Sequence, residues 1–219
     1  MRNASHRTEA EDSMSKLEWG TTQSRRYEYG LDRGVYYPSL TRGVPWTGLV
    51  SVDEEMEGGY EPHYLDGTNF LQSKTNETFA GSLTALAFPV GFELSMGRAS
   101  ITPFLSVDQQ PRNTFGLSYR TMVGGDSGLL AYKLHLVYNA IVSETDSAHK
   151  TLDDNTQATE NQISFSCRPE YFGTLPPMSH VTIDSTEPQI AALEEVLYGT
   201  TTTDPRLPSG LELVSILEW

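Results

Sequence analysis

The sequence predicts a mainly β protein, a β-sandwich or barrel flanked by one α-helix and carrying long loops. Three observations indicate this class: short runs of alternating apolar and polar residues, frequent turn residues (18 Gly and 12 Pro), and one stretch with helical spacing of apolar residues. A chain of 219 residues can bury one sizeable core. We therefore expect a single β-rich domain over residues 19–219, preceded by a flexible polar arm over residues 1–18.

Five stretches show the period of two that a half-buried strand requires. They cover residues 46–52, 79–87, 115–121, 132–140 and 163–167. The clearest is 132–140, with apolar residues on one face and Lys133, His135 and Asn139 on the other. We expect this second face to be exposed to solvent or to contact another subunit. The glycine-rich run 124–128 predicts a hairpin joining two antiparallel strands.

Two stretches have no regular period. Residues 53–77 combine acidic residues, Gly58-Gly59 and several aromatic residues, which predicts a long loop or an extended hairpin. Residues 143–161 are polar and predict a mobile loop.

One helix is predicted over about 187–198, because its apolar residues recur at spacings of three and four (Ile190, Leu193, Leu197). Ser185 or Thr186 would be its N-cap and Gly199 its C-cap. Alternation at residues 211–215 predicts a last strand.

Charge and cysteine content restrict the function classes. The chain has 15 Lys and Arg against 29 Asp and Glu, a formal charge of -14, which disfavours ordinary DNA binding. The acidity serves either solubility alone or a surface that must not retain passing DNA. Cys167 is the single cysteine, so no intrachain disulfide can form, and the compartment is expected to be reducing. No apolar stretch suits a signal peptide or a membrane span, so we expect synthesis in the cytoplasm and no membrane partner.

No motif indicates catalysis. Residues 125–128 read GDSG, as around the nucleophile of trypsin-like serine proteases, but Ser127 lies mid-chain and His63 has no matching context. A hairpin turn explains these residues better. No nucleotide-binding glycine motif is present. We therefore predict a non-enzymatic protein with no catalytic or cofactor-binding residues.

Metal binding has no support from spacing either. The histidines are scattered, and a site would have to be assembled wholly by the fold (His6, His63, His135, His149, His180). We expect isolated histidines. The acidic cluster at 53–57 lacks the ligand pattern of an EF-hand and is interpreted as a solvated loop. We therefore predict no metal site and no cofactor site.

Some features exceed the needs of a monomer: the polar arm, the aromatic stretch 60–70 and the C-terminal end. We expect intersubunit contacts at Tyr60, Tyr64, Phe70 and Trp219. The alternative for these aromatic residues is a local core.

Several short motifs occur in an order that resembles a known family. They include YGLDRGV at 29–35, GVPWTGL at 43–49, YLDG at 64–67, FGLSYRT at 115–121 and YKLHLVYNA at 132–140. Over residues 19–216 the chain is similar to the major tail (tail tube) protein of actinobacteriophages with siphovirus morphology.

This resemblance implies a tail-tube β-sandwich or barrel that closes into hexameric rings, which stack helically into a hollow tube for genome ejection. It implies no reaction and no cofactor. The partners would be further copies of the chain, the tape measure protein and other tail proteins, with DNA passing through the lumen without specific binding. The protein would be located in the virion tail after synthesis in the host cytoplasm.

Within this resemblance, residues 53–77 and 1–18 are expected to mediate ring stacking, and many carboxylates are expected to line the lumen. The alternatives are a tail terminator, a distal tail protein or a capsid decoration protein. A carbohydrate-binding β-sandwich is a further alternative, suggested by aromatic residues (Trp19, Tyr36, Tyr37, Trp46).

Overall fold

The computed structural model describes residues 26–74, 77–102, 104–126, 128–146, 158–173 and 175–217. The predicted arm over 1–18 lies outside them. Within them the chain is mainly β, as predicted. No helix in the described part of the chain is long and apolar enough to cross a membrane.

The described residues form twelve strands, two α-helices and one short 3-10 helix. The strands are β1 Tyr27–Pro38, β2 Val44–Pro45, β3 Leu49–Glu57, β4 Tyr60–Leu65, β5 Thr68–Lys74, β6 Thr78–Ala85, β7 Ala99–Thr102, β8 Leu105–Val107, β9 Phe115–Gly125, β10 Gly128–Asp146, β11 Asn161–Cys167 and β12 His180–Asp184. The helices are α1 Ile190–Tyr198 and α2 Gly210–Ile216, and the 3-10 helix is Phe92–Leu94.

One antiparallel sheet contains eight of the described strands, in the order β2-β1-β9-β10-β11-β6-β3, with β12 pairing to β10 beside β11. β4 and β5 form a separate hairpin, and so do β7 and β8. The predicted hairpin at 124–128 is confirmed, because Gly125 at the end of β9 pairs with Gly128 at the start of β10. Gly128 has a φ of 106°, which favours glycine.

The sheet curls around a first core. Its buried residues come from β1, β6, β9, β10 and β11 and from the 3-10 helix (among them Tyr36, Leu83, Phe92, Leu117, Val137, Val142, Ile163 and Phe165). Strand β3 comes back towards β1: a Cβ on Gly34 would lie 2.8 Å from Leu49 Cδ2, so the two strands approach closely there. The result is an open barrel with an apolar interior.

A second core lies between the outer face of the sheet and the helices. It contains Val35, Tyr37, Leu134, Leu136, Tyr138, Ile183, Leu193, Leu197, Leu207 and Leu213. Residues 134–138 of β10 are therefore buried on both faces of the sheet, and the expectation that the polar face is solvent-exposed is wrong at His135, which is only 6% exposed. Alternation in the sequence reveals which residues share a face but not what covers that face.

A bulge in β10 exchanges its two faces. The register shifts between Val137 and Ala140, and Asn139 has a φ of 50°. Ala140 therefore joins Val137 in the first core. Simple alternation predicted that it would share a face with Leu134, which lies in the second core. The strand also continues to Asp146, into the stretch predicted to be a loop.

Helix α1 is confirmed, but it begins one turn later than predicted. Thr186 donates hydrogen bonds from its backbone N–H (2.9 Å) and its hydroxyl (2.8 Å) to Asp184 Oδ1, and these hold a separate turn. The residue before the helix is therefore Gln189. Gly199 ends the helix, as predicted.

Residues 211–215 are helical, and the predicted last strand is wrong. Ser209 caps helix α2 by accepting a 3.4 Å hydrogen bond from the Glu212 N–H, and Leu213 packs in the second core. The pattern Ser-x-x-Glu is a known start signal for a helix and was present in the sequence. Two helices thus flank the sheet where one was predicted.

Of the two expectations for residues 53–77, the extended hairpin is correct and the long loop is wrong. Strand β3 runs to Glu57, paired with β6, and the chain then forms the β4–β5 hairpin. The apolar period is absent because the side chains of β3 beyond Val52 are exposed.

A charged network attaches α1 to the sheet. Arg120 on β9 is 8% exposed and makes two hydrogen bonds, of 2.9 and 2.7 Å, to the carboxylate of Asp32 on β1. Its guanidinium also lies 3.5 Å from Glu194 on α1 and 4.5 Å from the centre of the Tyr132 ring. Such bidentate, partly desolvated pairs bind more strongly than surface pairs.

We predict that Arg120→Ala lowers the free energy of unfolding by about 2 kcal/mol, because it leaves the Asp32 carboxylate without its bidentate partner and Glu194 with the more distant Arg33, 4.0 Å away. Arg98→Ala is the matched control, since Arg98 pairs with Asp108 at the surface and its loss costs about 0.5 kcal/mol or less. Urea unfolding measures both. Equal losses in the two variants would contradict a structural role for the Arg120 network.

Candidate functional site

The β4–β5 hairpin, which we call the distal hairpin (residues 60–74), exposes apolar side chains on a separate two-stranded sheet. Asp66 and Gly67 form its turn, both with positive φ, as a tight two-residue hairpin turn requires. Tyr64 is 62% exposed and Phe70 is 73% exposed. An isolated two-stranded hairpin is marginal in water. Contiguous exposed apolar side chains are typical of interaction surfaces, which makes the distal hairpin a candidate for one.

The predicted intersubunit residues divide accordingly. Tyr64 and Phe70 are on the surface, which excludes the local-core alternative for both of them. Leu65 and Leu71 lie beside them and are also exposed. Tyr60 begins β4, but its side chain, like the whole of Trp219, lies outside what the structure describes. A role of these residues in subunit contacts stays a prediction.

Sequence reasoning missed a second apolar surface on the β7–β8 hairpin. Phe104 in its turn is 98% exposed, and Ile101 and Leu105 are 63% and 51% exposed. Val90, before the 3-10 helix, is also exposed. The signal was the apolar content of residues 99–107, although apolar residues are more often buried than exposed, so the sequence alone would place them in a core.

The carbohydrate-binding alternative lacks its aromatic platform. Tyr36, Tyr37 and Trp46 are all buried. The Tyr37 hydroxyl donates a 2.9 Å hydrogen bond to the Leu197 carbonyl, and Trp46 Nε1 donates one of 2.9 Å to the Ala87 carbonyl. These rings are core residues with satisfied polar atoms. Trp19 lies outside the described residues.

A polar cluster lies at one mouth of the barrel, which we call the Glu–His–His cluster (Glu54, His135 and His180). The residues come from β3, β10 and β12. His135 Nδ1 lies 3.2 Å from His180 Nε2 and 3.2 Å from Glu54 Oε1, and His180 Nε2 lies 3.6 Å from the same oxygen. The expectation of isolated histidines is therefore wrong for two of the five.

Strand pairing brings the two histidines together. His135 pairs with Thr182 on β12, so His180, two residues away, is a diagonal neighbour on the same face. Aromatic rings cover both imidazoles: Tyr119 stacks on His135 at 4.7 Å and Phe79 on His180 at 4.6 Å. No sequence spacing could show this arrangement, because the two histidines are 45 residues apart.

Charge in the cluster is set by these contacts. The hydrogen bond with His135 is the main cause that lowers the pKa of Glu54 to about 2, and the Tyr119 hydroxyl, which donates to Glu54 Oε1, lowers it further. Burial lowers the pKa of His180, against the opposite effect of the Glu54 charge. At neutral pH the cluster therefore holds a carboxylate and a neutral His180 imidazole.

The other candidates from the sequence are not brought together as reactive sites. His63 lies exposed on the distal hairpin, whereas residues 125–128 close the β9–β10 hairpin, and Ser127 itself lies outside the described residues. The acidic residues at 53–57 lie on a strand and not on a solvated loop, so they do not form an EF-hand-like loop.

No protein-family model matches this sequence, and no curated protein matches it either. Among solved structures, the fold is similar to a chain of the sheath–tube complex of an extracellular contractile injection system (PVC) in the extended state. That chain is 13% identical with a TM-score of 0.38, and the match covers 69% of this chain and 88% of that chain.

A chain from the sheath/tube terminator of the same system in the extended state has the same identity of 13% and TM-score of 0.38, over 72% of this chain and 97% of that chain. Likeness at this level assigns neither a family nor a function.

We predict that the thiol of Cys167 is unreactive in the folded protein. Cys167 is 2% exposed in the first core, and burial raises the pKa of its thiol to about 12, so thiolate is scarce at neutral pH. Ellman's reagent should label the native protein far more slowly than the urea-unfolded protein. Rapid stoichiometric labelling of the native state would contradict this burial.

Proposed function

We propose that this protein is a structural, non-catalytic subunit that polymerises into stacked hexameric rings forming a phage tail tube, the conduit for genome ejection. The observation that carries the proposal is the distal hairpin, which exposes large apolar side chains away from either core. The ordered motifs, which resemble those of actinobacteriophage tail tube proteins, suggest the type of assembly. The partners are other copies of the chain, the tape measure protein and further tail proteins.

The distal hairpin supplies a contact with a neighbouring ring. Phe70 and Tyr64 expose most of their surface, and burying one such side chain on a neighbour gains about 1.5–3 kcal/mol. The β7–β8 hairpin, with Phe104 at its turn, provides a second apolar contact of the same kind. Two hairpins that contact different neighbours are compatible with a repeating assembly, in which each subunit uses one surface to bind the next subunit and another to bind the previous one.

The ends of the sheet supply contacts within a ring. The terminal strands are β2 and β3, and β3 exposes the side chains of Asp53, Glu55 and Glu57 while its backbone pairs with β6. Edge strands left open invite association, and charged residues restrict the partners that can pair with them. A heterologous contact of this type closes into a ring when the rotation per subunit divides a full turn.

The acidity suits a conduit. A formal charge of -14 repels DNA phosphates, so an inner wall rich in carboxylates lets the genome slide without binding. The location that follows is the virion tail, with synthesis in the host cytoplasm. A tail terminator, a distal tail protein or a capsid decoration protein would share the exposed surfaces but would not form long tubes.

We predict that Phe70→Asp prevents tube formation without unfolding the subunit. Loss of one apolar contact per subunit weakens each association step by about tenfold or more. The melting temperature should stay unchanged, because Phe70 contacts solvent in the monomer. Negative-stain electron microscopy across a range of protein concentrations and salt measures the assembly.

Phe70→Tyr is the matched control, since it keeps the ring and should keep the tubes. Deleting residues 1–15 tests the stacking role of the arm in the same assay. Wild-type protein that forms only single rings would favour the terminator. Tubes of normal length from Phe70→Asp would exclude the distal hairpin as a stacking element, and a wild-type protein that stays monomeric with a neighbouring tail component supplied would overturn the proposal.

A further inference from the structure

We propose that the Glu–His–His cluster is a binding site for one divalent transition metal ion of the zinc class, with Glu54, His135 and His180 as ligands. The site would connect the terminal strand β3, which pairs with β6 in the described part of the chain, to β10 and β12. It is independent of the proposed tube function, because all three ligands belong to one chain.

The distances between the ligand atoms fit one ion. His135 Nδ1, His180 Nε2 and Glu54 Oε1 form a triangle with sides of 3.2, 3.2 and 3.6 Å. A tetrahedral zinc ion, with bonds of about 2.0–2.2 Å to nitrogen and oxygen, separates its ligand atoms by about 3.3–3.6 Å. The three ligand atoms therefore already stand at nearly the spacing that a bound ion would impose.

Proton counting also favours a cation. His135 Nδ1 lies within 3.2 Å of both Glu54 Oε1 and His180 Nε2, but it carries at most one hydrogen. Hydrogen bonds within the triangle can satisfy only part of these contacts. A metal ion at the centre would accept lone pairs from all three atoms at once.

The three proposed ligands are themselves held by neighbouring side chains, as metal ligands in proteins usually are. His135 Nε2 lies 3.0 Å from Thr121 Oγ1, so it can donate its hydrogen there and leave Nδ1 free to bind the ion. The Tyr119 hydroxyl donates to Glu54 and orients the carboxylate. The stacked rings of Tyr119 and Phe79 hold both imidazoles in place.

The site is reachable from solvent. A cleft beside β3 is lined by Glu54, Phe79 and His180, together with the acidic Glu55 and Glu77. Carboxylates along such a cleft raise the local concentration of cations. Three protein ligands leave a fourth position for water, and two imidazoles with one carboxylate favour zinc and its neighbours over Mg²⁺ or Ca²⁺.

The test uses the full-length chain, free of any histidine tag, in its unassembled form after removal of metal with a chelator. Titration calorimetry with ZnCl₂ should give one ion per chain, and the melting temperature should rise with the zinc concentration. MgCl₂ should give neither effect.

His180→Ala and Glu54→Gln should each weaken zinc binding by about 100-fold or more while the protein stays folded. His63→Ala is the matched control: it removes an exposed histidine outside the cluster and should leave zinc binding unchanged. Glu54→Gln separates this site from adventitious binding by surface histidines, which it does not alter.

The inference is overturned if the wild type shows no saturable zinc binding, or if His180→Ala and Glu54→Gln bind zinc as the wild type does. In the first case the cluster is a hydrogen-bonded network alone. Tube assembly is not measured in this experiment, so failure here leaves the proposed function untouched, and failure of assembly leaves this inference untouched.

Discussion

The structure depends on the burial of the middle of β10, residues 134–138, on both faces of the sheet. This 19-residue strand pairs with β9 on one side and with β11 and β12 on the other, and it contributes side chains to both cores. The bulge at Asn139 makes this possible, because it turns Ala140 and Val142 into the barrel while Leu134 and Leu136 stay against the helices. The barrel and the helical layer therefore fold around one shared element.

With both faces of the sheet occupied, apolar side chains outside the two cores stand out as surface features. Phe70 on the distal hairpin and Phe104 on the β7–β8 hairpin are among the most exposed, and neither hairpin pairs with the large sheet. A protein of this size usually covers such groups with a partner. The contrast between satisfied cores and uncovered hairpins is the physical reason to consider an assembling subunit.

The Glu–His–His cluster shows how the curled sheet creates chemistry that no single strand contains. Glu54 comes from the last strand of the sheet order, His135 from the central strand β10, and His180 from β12, which pairs with β10. Only the return of β3 across the barrel mouth brings the carboxylate against the imidazoles. The aromatic neighbours Tyr119 and Phe79 belong to the first core, so the two imidazoles stack against core residues.

The sequence by itself determined the elements whose signal is local: the alternating strands, the glycine hairpin between β9 and β10, and helix α1 with Gly199 at its end. The sequence also contained the start signal of α2 at Ser209, but the short apolar alternation at 211–215 favoured a strand instead. What covers each face of β10, whether Phe70 is core or surface, and the meeting of His135 with His180 were decided only by the tertiary structure. These depend on pairings between residues far apart in the chain, and neither composition nor period carries that information.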